Sequence, residues 1–127
     1  MMRAAGALAL CGALLAAGAV PAQAAPNPKA QLKIVDAAKG GETKTVWLHC
    51  KPTGGTHPNA RAACRLLEQV KGKPAELNVT PNPTCTREVA PHAVVVVGRW
   101  HGKAVKWAKV FPNACLMRAA TGAVLEL

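Results

Sequence analysis

A chain of 127 residues with 16 basic and 6 acidic side chains, for a net charge of +10, has room for one domain with a modest core. It contains no serine and its only aspartate is Asp36, so a serine nucleophile is excluded and paired carboxylates for acid–base work are scarce. The bases are spread from Lys29 to Arg118 without a run, which describes a solvated surface rather than a nucleic-acid recognition patch.

Arg3 precedes a run from Ala4 to Val20 made only of Ala, Gly, Leu, Val and Cys11, and Pro21-Ala22-Gln23-Ala24-Ala25 follows. This pattern predicts a secretory signal peptide over residues 1–24 with an A-x-A cleavage site. The run is shorter than the roughly 20 residues of a membrane span and lacks a basic stop, so no membrane association is expected. Leu10 is too large to precede a lipid-attachment cysteine, and Cys11 leaves with the signal. What remains, 25–127, is read as one secreted, extracellular domain. Cys50, Cys64, Cys85 and Cys115 are an even set in a short exported chain, which predicts two disulfides and allows three pairings.

Ala25 to Ala30 lacks an apolar period and reads as a loose terminus. Leu32–Ala38 and Thr43–Cys50 flank Lys39-Gly40-Gly41-Glu42 and predict an antiparallel hairpin. Lys51–Pro58 is turn-rich. Ala63, Leu66, Leu67 and Val70 then recur at helical spacing, with Pro58 in the first turn and Gly72 at the stop. Pro74–Leu77 reads as a short strand. Two prolines in Thr80-Pro81-Asn82-Pro83-Thr84 forbid regular structure and predict an exposed, extended loop beyond them. Val94–Trp100 and Lys103–Val110 enclose His101-Gly102 as a second hairpin. Ala114–Ala120 gives one or two helical turns, and Ala123–Leu127 is a final apolar stretch. The fold class is α+β: an antiparallel sheet of about five strands covered on one face by one or two short helices, with two disulfides. Its core is expected to come from Val, Leu, Ala and the three tryptophans.

Enzymatic activity is not expected, because a thiol nucleophile would need a cysteine left free in an oxidising compartment. His49, Cys50, His57 and Cys64 carry zinc-type ligand atoms, but their spacing matches no compact ligand pair and His49 should point away from Cys50 on a strand. A Cys50–Cys64 disulfide with surface histidines is the preferred reading, with no metal and no cofactor. Trp47, Trp100 and Trp107 among lysines resemble a stacking surface for single strands, yet Phe111 is the only other ring, so specific nucleic-acid binding is not expected. One segment remains, Pro83-Thr84-Cys85-Thr86-Arg87-Glu88-Val89-Ala90-Pro91, in which a cysteine lies two residues before an arginine between prolines.

Three stretches resemble the Streptomyces subtilisin inhibitor family: TVWLHCKPTGGTHPNARAAC from Thr45 to Cys64, CTREVAP from Cys85 to Pro91, and VGRWHGKAVKWAKVFPNAC from Val97 to Cys115. The Gly-Thr-His-Pro element and the Trp-x-Gly-Lys hairpin leading to Val-Phe-x-Asn-x-Cys are the most specific parts. The resemblance implies a secreted serine protease inhibitor with pairs Cys50–Cys64 and Cys85–Cys115 and a reactive bond between Arg87 and Glu88. It makes Thr84, Cys85, Thr86, Arg87, Glu88, Val89 and Ala90 the protease-binding loop, with Arg87 entering the specificity pocket and Asn113 either bracing the loop or forming a turn. Many relatives carry proline where Thr86 stands and methionine or lysine where Arg87 stands, and Ala90 and the absence of tyrosine also depart from the pattern. The implied partners are extracellular trypsin-like or subtilisin-like serine proteases and a second copy of the chain through the sheet. The alternative is a cationic secreted module that binds polyanions without inhibiting proteases.

Overall fold

The computed structural model describes residues 27–127; the signal peptide predicted over 1–24 lies outside the described residues. Strand β1 (Ala30–Ala38) turns Ala30, Leu32, Ile34 and Asp36 inward and alternates with exposed Gln31 and Lys33, the period of a sheet with one buried face. It pairs antiparallel with β2 (Thr43–Cys50) across a turn in which Gly40 adopts a positive φ of 73°. On its other side β1 pairs with β4 (His92–Trp100), and β4 pairs with β5 (Lys103–Phe111) through the predicted His101-Gly102 turn.

The fifth strand is β3, Gly54–Gly55, which pairs with His49 and Leu48 and gives the order β3-β2-β1-β4-β5. Pro74–Leu77, expected to be a strand, instead contains a 3-10 turn over Pro74–Glu76. Its carbonyls are used locally: Leu77 N donates to Pro74 O at 3.1 Å and Glu76 N to Lys73 O at 3.0 Å. Pro74, at the first helical position, has no N–H to miss.

Helix α1 (Ala60–Gln69) buries Ala63, Cys64 and Leu67 against the sheet. It starts two residues after Pro58, which was expected inside its first turn; Asn59 is the N-cap, with a non-helical φ of −124° and ψ of 45°, and its N–H donates to His57 Nδ1 at 2.9 Å. With Nδ1 accepting, the ring's Nε2–H donates to Val124 O at 2.9 Å. His57 is thus a buried tie between the start of α1 and the chain's last turn rather than the surface histidine expected. The helix stops where Gly72, φ 77°, donates its N–H to Leu67 O at 2.8 Å. A Cβ on Gly72 would stand 2.2 Å from Trp100 Cγ, so only glycine lets this turn lie on the indole.

Helix α2 (Ala114–Thr121) and a 3-10 turn (Gly122–Leu125) complete the cover, inserting Met117, Val124 and Leu125 over Leu32, Ile34, Leu48, Val94 and Val96. The expectation that all three tryptophans build the core holds only for Trp100 and partly for Trp107. Trp47 faces the opposite side of the sheet, across from Lys33, and is 45% exposed.

Candidate functional site

Between Pro83 and Pro91 the chain has no regular secondary structure, and Thr84, Thr86, Arg87, Glu88, Val89 and Ala90 are all exposed, Val89 by 81%. An extended segment this open keeps its shape only if its ends and its underside are held. The disulfides join Cys50 to Cys64 and Cys85 to Cys115. The first closes the turn-rich β2–α1 connection, and its sulfurs are therefore not available to a metal. The second ties the loop, two residues before Arg87, to the first turn of α2.

Asn113 supplies the underside. It is 1% exposed and caps α2, its Oδ1 accepting from Leu116 N at 2.9 Å. Because the helix fixes that oxygen, the amide nitrogen is aimed at the loop, where it donates to Thr86 O at 3.2 Å and Glu88 O at 3.0 Å. These carbonyls belong to the residues on either side of Arg87. Among the described residues no hydrogen bond engages the Arg87 carbonyl itself. Further along, Ala90 N donates to Pro112 O at 2.9 Å, and Lys39 N donates to Pro91 O at 2.9 Å before the chain enters β4.

The β5–α2 connection, Pro112 to Cys115, thus touches the loop by a backbone acceptor, a side-chain amide and a disulfide. These contacts bring Cys85, Thr86, Glu88, Ala90 and Asn113 together, while Thr84, Arg87 and Val89 project outward. The resemblance left Asn113 between a brace and a turn former; the geometry gives the same side chain a helix cap and two loop contacts. The tie from Pro112 was not foreseen. A proline has no N–H, so its carbonyl is the one backbone group it offers, and only the fold places it under Ala90. The resulting object is a scaffold that displays one ordered strip of backbone.

Residues 29–113 match the family described as subtilisin inhibitor-like. The subtilisin inhibitor of Streptomyces violaceus is 42% identical over 132 aligned positions, covering 94% of this chain and 89% of that protein. Protease inhibitor SIL-V2 of Streptomyces orinoci is 43% identical over 72% of this chain and 85% of its own length. A chain in the crystal structure of Streptomyces caespitosus sermetstatin in complex with Bacillus licheniformis subtilisin superposes with a TM-score of 0.61 at 26% identity, covering 77% of this chain and 98% of that one. The protein described above therefore belongs to the subtilisin inhibitor-like family. It is a protease inhibitor of that type, carried on a five-stranded antiparallel sheet with two short helices and two disulfides.

Proposed function

We propose that the protein inhibits secreted serine proteases by offering Arg87–Glu88 as a substrate-like bond. The observation that carries this reading is the pair of hydrogen bonds from the buried Asn113 amide to the carbonyls flanking Arg87, beneath an otherwise exposed, extended segment. A loop ordered before docking avoids the entropy cost of fixing it on the enzyme, so more of the contact energy appears as affinity. The Arg87 carbonyl, which no hydrogen bond engages among the described residues, is left for the enzyme's oxyanion donors.

In the bound state the enzyme's serine oxygen adds to the Arg87 carbonyl carbon. If the C–N bond to Glu88 breaks, the Glu88 nitrogen departs as an amine carrying the proton relayed by the enzyme's histidine. That amine stays close, because Ala90, Pro91 and the start of β4 remain hydrogen-bonded to the scaffold, so its effective concentration for re-forming the bond is high. Cleavage is therefore slow and reversible. The Arg87 guanidinium suits a pocket holding a carboxylate, with which it forms bidentate charged bonds, and trypsin-like enzymes are the first target. Subtilisin-like enzymes, whose broad pocket takes a long side chain, are the second; the sermetstatin relative is crystallised with one.

The signal-like residues 1–24 and the two disulfides support export to an oxidising, extracellular setting. The open face of the sheet carries Trp47, Val35, Val95, Val97 and Val110, an apolar stripe that supports a homodimer formed face to face. Purified protein titrated against trypsin and against subtilisin tests the proposal. Stoichiometric loss of trypsin activity that Arg87→Ala abolishes is the expected result. Salt-sensitive retention on heparin, with no inhibition of either enzyme, would favour the polyanion-binding alternative.

A further inference from the structure

The two legs of the loop are held differently. Cys85 fastens the leg before Arg87 covalently, whereas the leg after Glu88 has no covalent tie of its own before it becomes β4. Where that leg joins the sheet, His92 Nδ1 lies 2.7 Å from Asp36 Oδ1, with the two side chains only 17% and 10% exposed. Asp36 occupies the fourth inward position of β1 after Ala30, Leu32 and Ile34, a place where the binary pattern calls for an apolar residue. A carboxylate there needs a partner, and the strand register provides one diagonally across the ladder, since Asp36 pairs with Val94 and Ala38 with His92. An ionised carboxylate only accepts, so His92 donates through Nδ1–H.

The pair lines an open cleft of about 410 Å³ whose other charged side chains are Lys44 from β2, Arg118 from α2, and Glu126. None of these comes within ion-pair distance of Asp36, and His92 is its one close partner among the described residues. The neighbouring residue is anchored to the same element: Pro91 O accepts from Lys39 N, one residue past the end of β1.

We propose that Asp36 and His92 are positioning residues for inhibition: they lock the Glu88-side leg to the end of β1 and hold the cleaved amine in place for religation. The role rests on Arg87–Glu88 being the reactive bond. The pair is mostly buried and acts through the leg, so it is separable from the exposed strip around Arg87. It also differs from a general stabilising contact, because a well-packed apolar pair in its place would keep or raise stability while removing the directional tie.

The test compares wild type, His92→Val, His92→Asn, whose amide nitrogen can replace Nδ1–H, and the double variant Asp36→Val with His92→Val. Three quantities are read: the dissociation rate from trypsin, the intact-to-cleaved ratio after equilibration with catalytic trypsin, and hydrogen exchange of the 88–91 amides in the free protein. The double variant is expected to unfold at or above the wild-type temperature, yet to dissociate roughly tenfold faster, favour the cleaved form and exchange faster in the leg. His92→Asn should recover most of each effect. A double variant that folds and matches wild type in dissociation, religation and exchange overturns the proposal, as does a folded His92→Asn that recovers nothing. Arg87→Ala in the same series separates the two readings: wild-type inhibition that survives this substitution removes the reactive bond itself, and the pair's role in inhibition falls with it.

Discussion

Replacing Asn113 separates its two tasks. Asn113→Ala removes the cap on Leu116 N, about 1 kcal/mol, and two donors to the loop at about 1 kcal/mol each. The sum, about 3 kcal/mol, lowers the melting temperature by roughly 10–20 °C in a domain of this size. Asn113→Ser keeps a good capping oxygen but is too short to reach Thr86 O and Glu88 O, so it should recover about 1 kcal/mol of stability and none of the loop support. Dissociation constants for trypsin should then rise alike in both variants, by about 30-fold if the two loop bonds are lost from the ordered state before docking. Thermal unfolding and inhibition titrations on the same samples give both numbers. Wild-type affinity in Asn113→Ser would refute the idea that the amide orders the loop.

Removing the Cys85–Cys115 bridge by a double alanine change opens a link spanning 30 residues and should cost roughly 3–4 kcal/mol on the chain-entropy estimate. The same change should turn a slow, reversible inhibitor into a substrate, seen as inhibition that decays with time. Gly72→Ala should lower stability by about 2 kcal/mol or more, because the new Cβ meets the Trp100 ring at a positive φ, while the variant still inhibits fully when cold. Val95→Asp, in the middle of the open sheet face, should give a monomer by sedimentation with trypsin inhibition intact. A variant that remains dimeric would place the dimer contact elsewhere.

Much of the fold was legible because the strands obey a period of two. Leu32, Ile34, Val94 and Val96 alternate with polar or open-face partners, and both hairpins carry glycine where a positive φ is required. Pro74–Leu77 misled because four residues with one buried leucine cannot distinguish a strand from a turn whose bonds are all local. The two-residue strand at Gly54–Gly55 has no side chains to show a period. A Cβ on Gly55 would lie 2.3 Å from Trp47 O, and that close approach is a property of the fold. Trp47 does not join the core, because it alternates with inward Leu48 and so falls on the other face of the sheet.

For the loop, Pro83, Cys85 and Pro91 marked an exposed tethered segment, and the resemblance singled out Arg87. The supports were harder to read. His57, Asn113 and the Asp36–His92 pair each act across 25 or more residues of sequence, and no local pattern records which backbone group a polar side chain will meet. Asp36 carried the one available signal, a lone aspartate at an inward strand position.

The most direct test of Arg87–Glu88 as the reactive bond is mass analysis after incubation with a catalytic amount of trypsin. The account predicts one species that gains the mass of a single water and stays in one piece, because Cys85 and Cys115 lie on opposite sides of the cut. Reduction should then release two fragments, one ending in Arg87 and the other beginning at Glu88, in a ratio to intact protein that becomes constant with time. Cleavage first at another bond, or steady digestion to many fragments, would contradict it.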